Sequence, residues 1–251
     1  AAAQSEGVVD GQVVNATAGG QAIGADLPVK LSILQGDVET TSLQTRTGAS
    51  GRFRFEGLDT GSSLTYRPEV TYLDVSYSTD DFLQFEGDTA NLDATLNVYE
   101  TTDDDGALRL NSVHLIAESF GEVLRVSEIH LLGNTADRTY VAASGQGNGV
   151  FVPLPDQAVG LAFQQDAQTD RFVEVGGGIV DTAPVLPGSE SSLVFFSYHL
   201  MVPGDTVPLE RTFAYPVDSL SVLVAQPGLS LRSGQLQAMG LELFQGRQYE
   251  F

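Results

Sequence analysis

Gly51-Arg52-Phe53-Arg54-Phe55-Glu56-Gly57-Leu58 decides how this chain is read. Phe53 and Phe55 fall on one side of a period-two pattern, with Arg52, Arg54 and Glu56 on the other, which predicts a half-buried β-strand bounded by glycine turns. The same alternation runs outward in both directions. Val29, Leu31 and Ile33 are expected on one face with Lys30 and Ser32 opposite. Leu64, Tyr66, Pro68, Val70 and Tyr72 continue it, Pro68 implying an edge position or a bulge. Leu92, Ala94, Leu96 and Val98 form a last regular strand. One sheet would leave half of this apolar material wet, so two sheets packed face to face are expected.

The rest of the 251 residues repeats the pattern at similar size. Leu108-Arg109-Leu110 and Val113-His114-Leu115-Ile116 begin a second core. The β-branched residues of Val123–Leu132 and the Gly133-Asn134 stop favour a strand over a short helix. Further strands are predicted at Gly149–Val152, Val159–Phe163, Leu193–Tyr198, Leu220–Val224 and Leu236–Phe244, with a long loop between Phe163 and Leu193. The predicted class is all-β: tandem β-sandwich domains, immunoglobulin-like or transthyretin-like. Residues 1–6 are expected to be a mature N-terminal tail, because small residues such as Ala1-Ala2-Ala3 flank signal-cleavage points. Residues 7–100 make the first sandwich, 101–106 an acidic linker and 107–251 the second sandwich.

Composition narrows the functional classes. The chain carries 33 acidic and 12 basic residues, a net charge of −21, with Lys30 its single lysine. Such a surface repels nucleic acid and anionic membranes. There is no cysteine, which removes disulfides, thiol catalysis and thiolate metal sites. No stretch approaches the length of apolar sequence needed to span a bilayer.

In the first module, Gly11-x-Val13, Asn15-x-Thr17, Pro28-Val29-x-Leu31, the Thr45/Thr47 pair and Gly51-x-Phe53-x-Phe55-x-x-Leu58 with the following Tyr66 resemble the carboxypeptidase-regulatory-like group of transthyretin-like, or prealbumin-like, sandwiches. The resemblance covers residues 7–98 and rests on turn and core positions. It implies an accessory module that extends, stabilises or presents other domains, some relatives binding carbohydrate.

Few residues offer chemistry. Asp103-Asp104-Asp105, with Glu100 nearby, could gather calcium through oxygen ligands on the order of 10⁻⁴–10⁻³ M, although the spacing is not that of an EF-hand loop. No other cofactor is expected. Tyr72 and Tyr77 would make a sugar platform if both rings were exposed, while Tyr66 and Tyr72 share the inward parity. His114, His130 and His199 are the only imidazoles, and Glu128 and His130, two apart, would share a strand face. No serine occupies a Gly-x-Ser-x-Gly elbow. Neither Gly176-Gly177-Gly178 nor Gly145-Gln146-Gly147-Asn148-Gly149 has the strand-to-helix setting of a nucleotide loop. Asn15-Ala16-Thr17 is a glycosylation sequon.

The expected function is therefore non-catalytic: a secreted, periplasmic or cell-surface structural or scaffolding module with protein partners in an extracellular or envelope assembly. A carbohydrate-binding module and a metal-dependent or hydrolytic enzyme are the alternatives.

Overall fold

The computed structural model describes residues 6–143, 149–163, 170–224, 229–244 and 247–250, with 189–191 and 241–250 described by backbone alone. Among them there is no α-helix, only strands and one 3-10 turn at Ala49–Gly51. The chain divides into two compact all-β units, Ala1–Thr101 and Thr102–Phe251. Residues 1–5 of the expected tail and residues 144–148 of the second glycine cluster lie outside the described residues.

The first unit contains β1 (Gly7–Asn15), β2 (Pro28–Gln35), β3 (Val38–Arg46), β4 (Arg52–Leu58), β5 (Leu64–Tyr72), β6 (Val75–Ser78) and β7 (Asn91–Val98). They form a three-stranded sheet, β4-β1-β7, and a four-stranded sheet, β3-β2-β5-β6, whose apolar faces pack in a sandwich-like arrangement. Val9, Val13, Phe53, Phe55 and Leu96 bury from one sheet, and Val29, Leu31, Tyr66, Val70 and Tyr77 from the other. Gly11 stands opposite Phe53, and a Cβ there would come within 2.1 Å of the ring. The phenylalanine thus lies across the glycine backbone and covers it, a cross-strand device that only the missing side chain allows.

Pro68 shows why its position tolerates proline. Opposite it on β2 is Leu31, while on its other flank the β6 ladder begins at Glu69 and the Leu83 bridge falls at Tyr66. The absent N–H therefore points into a gap between partners. The expected inward triplet on β2 is interrupted. A register shift between Ile33 and Leu34 leaves Ile33 half-buried, and Ser32 is buried instead, donating to Glu69 across 3.3 Å.

Because this unit closes its own core, residues 7–100 expressed alone are expected to unfold cooperatively and give dispersed β-type amide shifts by NMR. A collapsed spectrum would refute an independent fold.

The division falls inside β8 (Thr101–Thr102), which pairs with β11 (Thr139–Tyr140). Around it the second unit has β9 (Leu108–Phe120), β10 (Val123–Asn134), β12 (Val150–Pro153), β13 (Val159–Phe163), β14 (Phe172–Val175), β15 (Gly178–Asp181), β16 (Gly188–Met201), β17 (Leu220–Val224), β18 (Leu241–Phe244) and β19 (Arg247–Glu250). A seven-stranded sheet runs β13-β16-β10-β9-β17-β19-β18, beside a three-stranded sheet β12-β15-β14. Its long antiparallel trio, β9, β10 and β16, carries one continuous buried face from Leu115, Val126, Leu132, Val194 and Phe196.

Two expectations need correction. The stretch between Phe163 and Leu193 is not one loop: it holds the β14–β15 hairpin and the start of β16. Val175 pairs with Gly178, so Gly176-Gly177 is the two-residue turn, with Gly177 at φ 82° supplying the left-handed backbone. The strand expected from Leu236 begins at Leu241.

Candidate functional site

Among the described residues of the second unit, carboxylate and imidazole meet at Glu128 and His130. Glu128 and His130 project from the same inner face of β10 because strand side chains repeat every second residue. Neighbouring β16 supplies Tyr198 from its own inner face. Arg211 arrives from the extended segment between β16 and β17, which has no ladder partner over residues 203–215.

The contacts define roles for each atom. The His130 Nε2 donates to Glu128 Oε2 across 2.8 Å, which places the ring proton on Nε2 because an ionised carboxylate only accepts. The Tyr198 hydroxyl donates to Oε1 across 2.7 Å, and Arg211 Nη2 donates to Oε2 across 2.9 Å. Arg211 Nε lies 2.6 Å from Oε1 yet off a hydrogen-bond line, so that contact is an ion pair without a directed bond. His130 Nδ1 has no hydrogen-bond partner among the described residues. The edges of Phe196 and Phe213 flank the imidazole at 5.3 and 5.9 Å between centroids.

The cluster is sealed. Side-chain exposure is 0% for Glu128, 1% for His130 and 5% for Arg211. Burial works to raise the Glu128 carboxyl, but the hydrogen bond from His130 and the Arg211 guanidinium outweigh it and hold the group below its ordinary range. Burial pushes the Tyr198 hydroxyl well up, and the Glu128 charge adds to it. Three hydrogen bonds converge on this carboxylate, and the Arg211 guanidinium balances its charge. The carboxylate holds the extended segment to the sheet, and no substrate reaches it in this conformation.

A second buried carboxylate, Asp181 on β15, takes both Nε and Nη2 of Arg171 at 2.7 Å, and Nη2 also reaches Ser192 Oγ. This bidentate pair fastens the β14–β15 hairpin to β16. His114 Nδ1 lies 2.6 Å from Ser221 Oγ, its partner across the β9–β17 ladder.

The sugar-platform arrangement of Tyr72 and Tyr77 is not what the fold presents. Tyr77 is 2% exposed, its hydroxyl donating to the Tyr99 carbonyl, because β6 turns that residue into the sandwich. Tyr72 is half-buried, its hydroxyl 3.2 Å from Glu100 Oε1. Tyr66 is fully buried, its hydroxyl pinning the Asp59 carbonyl.

The acidic run closes a turn between β8 and β9. Asp104 Oδ1 accepts the Gly106 N–H, the Asp105 carbonyl accepts the Leu108 N–H, and Asp105 Oδ2 lies 3.5 Å from the Tyr215 hydroxyl. Burial first, with the Asp105 charge adding, pushes the Tyr215 hydroxyl up to about 12. The Glu100 carboxylate is engaged in the first unit by Asn15 and Tyr72. Among the described residues no three His, Cys, Asp or Glu side chains converge on a metal position. Calcium titration calorimetry is expected to give the same heats for the Asp103→Asn/Asp105→Asn protein as for the parent. A calcium-dependent heat lost in the variant would establish a site there. Asn15 Nδ2 donates to Glu100 and to the Gln21 carbonyl, contacts that glycosylation of the sequon would disrupt.

Sequence reasoning paired Glu128 with His130 but missed Arg211 and Tyr198. The signal was present in Val207-Pro208-Leu209-Glu210-Arg211-Thr212-Phe213-Ala214-Tyr215, where the odd positions are apolar except for one arginine. A cation at an inward position requires a buried acid facing it. No known family model matches the chain, and no curated protein matches it. No helix among the described residues is long and apolar enough to cross a membrane.

Proposed function

We propose that the chain is a non-catalytic structural module of an extracytoplasmic assembly, secreted, periplasmic or at the cell surface, acting through protein partners. The observation that carries this reading is the closure of the Glu128–His130–Arg211–Tyr198 cluster: among the described residues, the acid–base constellation is spent on holding the unit's own core together. In this reading the first unit is a transthyretin-like sandwich of the carboxypeptidase-regulatory-like group, supported by its three- and four-stranded sheets with β1 at the centre of the smaller one. The second unit serves as a larger, immunoglobulin-like companion. The acidic excess keeps both solvated and favours partners with basic surfaces.

The test is turnover. A panel of chromogenic esters, glycosides, phosphoesters and peptides is expected to show no hydrolysis above buffer with the parent protein. Hydrolysis that disappears on Glu128→Gln would overturn the non-catalytic reading. Crosslinking on the surface of producing cells should trap the chain with a protein, and recovery from the cytosol alone would overturn the location.

A further inference from the structure

Residues 207–217 pack against the core of the second unit with strict alternation, bending at Ala214-Tyr215. Val207, Leu209, Arg211, Phe213, Tyr215 and Val217 are half-buried, while the residues between them are exposed. Such a pattern normally belongs to a strand, yet among the described residues no main-chain hydrogen bond joins 203–215 to a neighbour. The first main-chain ties come at its end, where Leu110 N–H donates to the Pro216 carbonyl and Asp218 N–H to the Leu110 carbonyl. Side chains alone hold residues 206–215, and Pro203-Gly204-Asp205 before them is an exposed bend. Segments held this way open at lower free energy than the paired strands beneath them.

The site under the strap is imperfectly filled. Among the described residues His130 Nδ1, on a side chain 1% exposed, has no hydrogen-bond partner, and Arg211 Nε meets Glu128 off the bonding line. Buried polar groups are ordinarily satisfied, so these two atoms leave hydrogen-bonding capacity that a different occupant of the groove can use.

We propose that residues 206–217 are a displaceable strap over a carboxylate-floored groove, and that the groove's other occupant is an extended, arginine-bearing segment of a partner protein. Lifting Arg211 away deprives Glu128 of its counter-charge, and an incoming cation restores the pair. A guanidinium matches the two carboxylate oxygens with its planar fork, where an ammonium would meet them as a point charge. A neighbouring hydroxyl or amide donor would satisfy His130 Nδ1, which the strap does not. The net charge of −21 draws basic segments toward the surface. The strap is tethered at both ends and competes at a high effective concentration, so an external segment prevails only by fitting better. This names a partner chemistry for the assembly role proposed above, and the turnover assay judges that role separately.

The chain has no cysteine, so single-thiol probes report cleanly. Leu209→Cys in the strap is expected to react with a thiol reagent at least about 100-fold faster than Val126→Cys in β10, at a rate insensitive to low urea. Equal rates with the urea dependence of global unfolding would overturn the strap. For the groove, a synthetic peptide of residues 206–217 is added to the full-length Arg211→Met protein carrying Leu209→Cys. The peptide should slow labelling and raise Tm, and the same peptide with methionine at its arginine should do neither. Equal effects of the two peptides, or none from either, would overturn a guanidinium-selective groove. Arg211→Lys keeps a cation over Glu128 and serves in the same assay if the methionine variant does not fold.

Discussion

Glu128→Ala is expected to destabilise the second unit by about 3–5 kcal/mol, among the largest effects of any single change in the chain. The carboxylate is the common acceptor for His130, Tyr198 and Arg211, and its removal strands a guanidinium and two donors in the core. Arg211→Met alone should cost a similar amount by stranding the acid. The Glu128→Gln/Arg211→Met double variant should cost less than the sum of its singles, with a coupling of roughly 0.5–3 kcal/mol in a urea-melt cycle. Strict additivity would show that the two side chains do not share a partner.

The same group sets a pH dependence with a definite sign. Its folded value lies below the 4.5 of an ordinary glutamate. The stabilisation is therefore complete above that unfolded value and is lost as pH falls through the lower folded one. The stability gap between the parent and Glu128→Gln should be flat above pH 4.5 and shrink on acidification. A gap that widened in acid would reverse the assignment.

In the first unit, Phe53→Ala and Tyr77→Ala should both fall in the range of buried aromatic truncations, about 3–5 kcal/mol by chemical denaturation. Phe53 packs edge-on against Phe55 at 6.0 Å and covers Gly11, so its loss opens a cavity and bares a glycine backbone. Tyr77 loses its packing and its hydrogen bond to Tyr99. A near-zero cost at Tyr77 would mean that its ring is not in the sandwich.

Much of the strand framework can be read from local alternation. Val159–Phe163 and Leu220–Val224 occur with the predicted bounds, and Phe53 and Phe55 point inward, because period two is set by the backbone of each strand alone. Most of the failures involve a second segment. Ser32 exchanges places with Ile33 through a register shift that depends on how β3 pairs. Phe172–Val175 and Gly178–Asp181 are too short to stand out from a glycine-rich stretch until they pair. Tyr77 reads as a candidate surface ring until the opposite sheet covers it. The carboxylate of Glu128 and the guanidinium of Arg211 are separated by 83 residues, and nothing local to either shows that they meet.

The parallel pairing of β1 with β7 sets how the first unit would bear tension. Because these first and last strands run the same way, the polypeptide enters at one end of their ladder and leaves at the other, with partners from Val8–Asn91 through to Asn15–Val98. Traction applied along the chain would load all of those rungs together in shear, instead of peeling them open singly from one end. Forced rupture follows the unfolding rate rather than the equilibrium stability. An antiparallel pair of terminal strands would unzip at far lower force, so the β1–β7 ladder would act as a mechanical clamp under such a load.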